Sequence, residues 1–136
     1  MSHLARAAKP KTKPPMITIV GTPGTGKTTL GAMFPNALMV MSEDGASVFD
    51  SWDEEAKPSV LPRLPKASKD EVGNLKSTRE TLLSIMDELI GTDHGFTTLV
   101  VDSITSLDML FGHEIALRDN VNTVADASGG FHKGYA

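Results

Sequence analysis

Gly21-Thr22-Pro23-Gly24-Thr25-Gly26-Lys27-Thr28 sets three glycines, a lysine and a hydroxyl inside eight positions, in the spacing GxxxxGK(S/T). A loop of this kind turns its backbone N–H groups inward, which demands dihedral angles that glycine reaches cheaply, and so forms a concave cradle for an anion. Lys27 adds a compact positive charge suited to the β- and γ-phosphates of a nucleoside triphosphate, and the Thr28 hydroxyl is a ligand for Mg²⁺. Pro23 stiffens the loop. The predicted pocket comprises Gly21, Thr22, Pro23, Gly24, Thr25, Gly26, Lys27, Thr28 and Thr29.

Two acids complete the chemistry. Phe96-Thr97-Thr98-Leu99-Val100-Val101-Asp102 is an apolar run ending in a carboxylate, so Asp102 is expected to hold the magnesium ion with Thr28, directly or through water. Ala37-Leu38-Met39-Val40-Met41 is a second such run, closing on Ser42-Glu43-Asp44-Gly45. Acids at the carboxyl end of a parallel strand lie where α/β sheets place their ligands. Spacing alone leaves Glu43 two uses, a base that activates water or part of a polar turn.

These residues need strands to carry them and helices to cover the strands. Met16-Ile17-Thr18-Ile19-Val20 predicts a buried strand before the loop, and Thr29 to Met33 a short helix after it, ended by Pro35. Residues 37–41 and 96–102 predict the second and third strands. Between them, Ala46 to Lys69 reads as a long connection broken by Pro58, Pro62 and Pro65, with Trp52 more readily a loop anchor than a base-stacking platform. Ser77-Thr78-Arg79-Glu80 is a capping box opening a helix with Leu82, Leu83, Met86, Leu89 and Ile90 on one face and Gly91 as its C-cap. A further helix spans Ser103 to Arg118, with Gly112 as a blemish.

The 136-residue chain has no cysteine, which removes disulfides, thiolate metal sites and thiol nucleophiles together. No apolar run approaches the length of a membrane span. The formal charge of −4 conceals a basic head with Arg6, Lys9, Lys11 and Lys13. Residues 1–15 are expected to be a disordered, solvated leader in preference to a nucleic-acid arm, and 16–136 a single nucleotide-binding domain. The closing stretch, with Phe131, His132, Lys133 and Tyr135 among glycines, reads equally as a nucleic-acid contact or a loose tail. His113 has no second histidine one turn away and reads as a half-buried side chain, not a metal ligand.

With GTPGTGKTTL, a strand closing on Ser42-Glu43-Asp44-Gly45, LVVDSITSLDML and a final GGFHKGYA in this order, residues 16–136 resemble the phage nucleotide-binding AAA-domain family. That family has a RecA-like core and includes ATPases linked to single-strand annealing and recombination. The resemblance implies an α/β P-loop NTPase fold, a three-layer α/β/α core with a mostly parallel sheet. It also implies ATP and Mg²⁺ as ligands, single-stranded DNA as a partner, and homo-oligomers or other recombination proteins as associates; a cytoplasmic location is expected from the lack of cysteine and of a membrane-spanning or secretory run. Lys27 and Thr28 match the phosphate and magnesium residues, Asp102 matches the second acid, and Glu43 matches the catalytic glutamate, which favours its use as a base beside Lys27. An arginine finger is expected from a neighbouring subunit, Arg118 being the weaker choice.

RecA-like cores carry more strands than the three visible here, so the core is expected to be incomplete at its C-terminus. A truncated or split product, a longer natural sequence, or completion by a partner would each account for that. Two rival functions stand beside the ATPase: a non-catalytic nucleotide-binding module, and a nucleotide or small-molecule kinase, which would want more arginines than Arg63 and Arg79 between the two motifs. No Asn-Lys-x-Asp guanine-reading motif is present, which tilts the nucleotide to ATP.

Overall fold

The computed structural model describes residues 13–129; the head up to residue 12 and the aromatic tail from residue 130 lie outside the described residues. The chain runs α1 (Lys27–Ala32), β1 (Ala37–Met41), β2 (Ser59–Val60), β3 (Ser68–Lys69), β4 (Leu75–Lys76), α2 (Thr78–Gly91), β5 (Thr98–Asp102) and α3 (Ile104–Arg118), with 3-10 turns at Ala46–Phe49, Glu54–Ala56 and Val124–Gly129.

β1 is the centre of a three-stranded parallel sheet ordered β2-β1-β5. Every residue of β1 is buried, as an all-apolar strand covered on both faces requires. Its side chains alternate between two clusters. Met39 and Met41 pack with Ala32 of α1, Phe49, Trp52 and Val100. Val40 packs with Leu64, Leu107 and Leu110, joined by Leu82 and Ile85 of α2 and Val101 of β5. The sheet is thus the middle of three layers, with α1 on one face and α2 and α3 on the other, as expected for an α/β P-loop fold. Met39 and Val40 are wholly buried, and each such side chain contributes roughly 1.5–3 kcal/mol of transfer free energy.

α1 lies close on the sheet because Gly31 faces Val100: a Cβ on Gly31 would stand 3.0 Å from Val100 Cγ1. Gly31→Val should therefore overpack this contact and lower stability by about 1–3 kcal/mol, read from the urea midpoint of the otherwise unchanged chain.

The strand expected at Met16–Val20 is not formed. Met16 is 95% and Val20 89% exposed, and the run pairs with none of the strands β2, β1 and β5, although β5 is an end strand of the sheet. An apolar, β-branched run is suited to a sheet, but it becomes a strand only where an edge accepts its hydrogen bonds. The third strand of the sheet is instead Ser59–Val60, inside the stretch expected to be a connection. That stretch is anchored by Trp52, whose ring meets Phe49 edge-on at 5.1 Å.

The helix starts and ends differ in detail from expectation. Ser77 caps α2 by accepting the Glu80 N–H at 2.9 Å, and Glu114 of α3 adds a second acid at the same helix start, accepting the Ser77 hydroxyl and the Arg79 N–H. α2 ends at Thr92, whose N–H and hydroxyl both reach the Glu88 carbonyl, and Gly91 stays helical. Gly112 faces Val124, 3.6 Å from where a Cβ would sit, an ordinary contact distance, in a segment folded back on α3. Asp119 holds that segment through the Ser128 N–H, and the Arg118 guanidinium beside it keeps the Asp119 carboxyl below its ordinary range.

Candidate phosphate site at the carboxyl end of the sheet

The loop before α1 closes on itself. Thr25 donates through its hydroxyl to the Thr22 carbonyl at 2.8 Å. Gly24 and Gly26 have φ of 80° and 85°, the left-handed region, and no atom lies within 4 Å of where a Cβ would stand on either. Side chains at these two positions would be strained and would fill that open space. At Gly21 the constraint is contact: a Cβ there would meet Thr25 Oγ1 at 2.7 Å.

Lys27 Nζ bends back over the loop and donates to the carbonyls of Gly21 and Thr22, each at 2.8 Å. Thr28, one position on, donates through Oγ1 to Asp102 Oδ2 at 2.6 Å. That bond joins residues 74 positions apart and brings together the two groups expected to act on the metal, next in sequence to Lys27. Asp102 is 9% exposed, so its carboxylate is held where water competes little for it.

Register explains the meeting. Ala37 to Met41 pair in parallel with Thr98 to Asp102, residue for residue, so both strands end level and Met41 stands beside Asp102. Ser42 then fastens the end of the sheet. Its N–H donates to the Asp102 carbonyl at 2.8 Å, its hydroxyl donates to the Ser103 carbonyl at 2.7 Å, and it accepts the Ser103 N–H at 2.9 Å. Ser42 is buried and fully engaged; sequence reasoning placed it in a polar turn and missed this role. The available signal was a small hydroxyl residue directly after an all-apolar strand.

Glu43 and Asp44 follow, both exposed, at the same end of the sheet as Asp102. Among the described residues the Glu43 carboxylate has no hydrogen bond or ion pair to Lys27, Thr28 or Asp102, so the structure joins Thr28 to Asp102 and leaves Glu43 at the rim. Thr29 lies within α1, half-buried, where only its carbonyl is engaged, accepting the Met33 N–H. Arg118 ends α3, roughly 20 Å along that helix from Ser103 by the rise of 1.5 Å per residue, and it pairs with Asp119. It cannot reach this chain's own site. His113 is half-buried, its Nε2 3.1 Å from the Ala67 carbonyl, in keeping with a structural use.

The donor set suits a magnesium ion shared with phosphate. Among the described residues no three His, Cys, Asp or Glu side chains converge to form a metal cage. A hydroxyl and one carboxylate are what Mg²⁺ commonly takes from protein when phosphate oxygens and water supply the rest. Two cavities, of about 230 and 830 Å³, lie elsewhere, between α2 and the sheet and at the amino ends of the strands; neither borders the loop. Among the described residues no helix is long and apolar enough to cross a membrane.

A family model described as an AAA domain matches residues 13–136, nearly the whole chain. No curated protein matches, and no solved structure matches.

Proposed function

The chain belongs to the AAA domain family of nucleotide-binding P-loop proteins, and from that premise we propose that it binds Mg-ATP and hydrolyses it in phage or prophage DNA recombination or single-strand annealing. The observation that carries the nucleotide half is the 2.6 Å bond from Thr28 to Asp102 beside the Lys27 loop. It sets the two magnesium-suited groups against the phosphate cradle.

In this reading the loop amides between Gly24 and Thr28 hold the phosphates, and Lys27 exchanges its two carbonyl partners for phosphate oxygens. Thr28 and Asp102 hold Mg²⁺, which when bound neutralises charge on the β- and γ-phosphates. Glu43 takes a proton from a water in line with the γ-phosphorus. The new bond runs from that water oxygen to phosphorus, the bond to the ADP oxygen breaks, and Lys27 stabilises the charge that develops. The finger that completes such a site comes from a second protomer, since Arg118 is out of reach.

One observation supports a second reading, a nucleotide-holding module without turnover: Glu43 is exposed and touches none of the three central groups. The first test common to both is a calorimetric titration. ATP is expected to bind with Mg²⁺ present, to weaken at least about tenfold in EDTA, and to outcompete GTP. Binding indifferent to Mg²⁺ would contradict the assignment of Thr28 and Asp102.

A further inference from the structure

The connection between β2 and β3 carries a pattern that neither a helix nor a strand would produce. Leu61-Pro62-Arg63, Leu64-Pro65-Lys66 and Ala67-Ser68-Lys69 repeat apolar, small or proline, cation three times. The structure gives this period a physical meaning. Leu64 is 2% exposed and Ala67 is also buried, with Leu61 half-buried, while Arg63, Lys66 and Lys69 are all exposed. The first position of each triplet is an anchor and the third faces water.

The backbone is pinned in step with this. Leu61 N–H donates to the Met39 carbonyl at 3.0 Å and Leu64 N–H to the Met41 carbonyl at 2.9 Å. Three residues of the connection thus advance beside two residues of β1, roughly 7 Å per triplet. Farther on, the Pro65 carbonyl accepts the Thr78 hydroxyl at 2.7 Å and the Ala67 carbonyl faces His113 at 3.1 Å. The run is therefore a fixed rail, stiffened by two prolines.

Its charge is not offset. Between Lys57 and Lys69 there is no acid, and Lys57, Arg63, Lys66, Lys69, Lys76 and Arg79 gather six cations in a chain that is acidic as a whole. Among the described residues the salt bridges are Lys57 with Glu54 and Arg118 with Asp119, so Arg63, Lys66 and Lys69 have no acidic partner. Lys69 reaches only the neutral Asn120 side chain. β3 pairs with β4 as an antiparallel hairpin, and of the two acids in its turn Asp70 is spent on the turn itself. It accepts the N–H groups of Asn74 and Val72, and those bonds, Asn74 first, hold its carboxyl below the ordinary range.

Like charges held in a row repel one another, a cost that a polyanion lying along them would relieve. We propose that Arg63, Lys66 and Lys69 form a phosphate-tracking ridge for a single-stranded DNA backbone, starting beside the edge of β1 that faces away from β5 and running on past the bonds to Thr78 of α2 and His113 of α3. The row offers no aromatic platform, so it reads charge and not sequence. It also has a link to the nucleotide site: the Met41 carbonyl that accepts Leu64 belongs to the peptide leading into Ser42 and Glu43. The ridge rests on the DNA half of the proposed function and gives it a location.

The test is fluorescence anisotropy of a labelled oligothymidylate against the full chain, titrated with salt. Arg63→Gln/Lys66→Gln/Lys69→Gln is expected to weaken binding at least about tenfold. It should also reduce the slope of log K against log salt by about 2, the value for three contacts at 0.7 each on a single strand. A charge-keeping variant, Arg63→Lys/Lys66→Arg/Lys69→Arg, should bind as the wild type does. So should Arg6→Gln/Lys9→Gln/Lys11→Gln, which removes equal charge from the head, and all three variants should keep ATP affinity. If the head variant loses binding and the ridge variant keeps it, the ridge is wrong while the DNA reading stands. If the charge-keeping variant also loses binding, the effect is not phosphate contact and the ridge fails. If the wild type shows no salt-dependent binding, the ridge and the DNA half fail together, and the nucleotide titration stands apart from both.

Discussion

Lys27→Ala is expected to abolish nucleotide turnover and to weaken Mg-ATP binding, with the hydrolysis rate falling at least about a hundredfold. The reason lies in where the ammonium sits. Its Nζ is 2.8 Å from the carbonyls of both Gly21 and Thr22, so it is already folded over the open side of the loop. A phosphate entering that space meets a charge already at the loop, which exchanges its two carbonyl partners for phosphate oxygens. Alanine leaves the cradle of amides but removes the only Lys or Arg between residues 14 and 56, so nothing nearby substitutes. Because the Lys27 side chain serves only the exposed loop, melting should be unchanged, which separates loss of chemistry from loss of fold. Equal ATP affinity in the variant and the wild type, measured calorimetrically, would remove Lys27 from the site.

Glu43→Gln is expected to do something different: to retain Mg-ATP binding while slowing hydrolysis by about 10²–10⁴. Glutamine keeps the size and loses the ability to accept a proton. Glu43 stands two residues past Met41, which pairs with Asp102, so it leaves the sheet at the level of the magnesium-suited groups. Its exposed carboxylate is not consumed by a structural bond. Single-turnover phosphate release from prebound ATP separates the two readings of the chain. A slow variant beside a fast wild type identifies a base; identical rates leave Glu43 as a residue of the turn and favour a module that holds nucleotide.

The parts of the site that depend on local chemistry were legible in the sequence. The glycine loop, Lys27 and Thr28 are specified by residue types within one turn of chain, and Asp102 by an apolar run ending in an acid. The helix beginning after Ser77 was legible through its cap and periodicity, and the one beginning after Ser103 through its apolar face. What escaped was whatever depends on a distant edge. Met16–Val20 has the composition of a strand, yet composition does not name a partner, and no edge in the described residues takes it. Ser59–Val60 has too few residues to show a period and becomes a strand only because β1 accepts it. The rail from Leu61 to Lys69 looked like an irregular connection because its period is three, matching neither the two of a strand nor the 3.6 of a helix. The part Glu114 plays at the start of α2 is of the same kind: it accepts the Ser77 hydroxyl from 37 positions along the chain.

The most direct measurement of the central claim is phosphate release from Mg-ATP by the purified chain, with and without single-stranded DNA. Turnover is expected to require Mg²⁺ and to rise when the strand is added. Tight Mg-ATP binding with no phosphate release under either condition would contradict the claim.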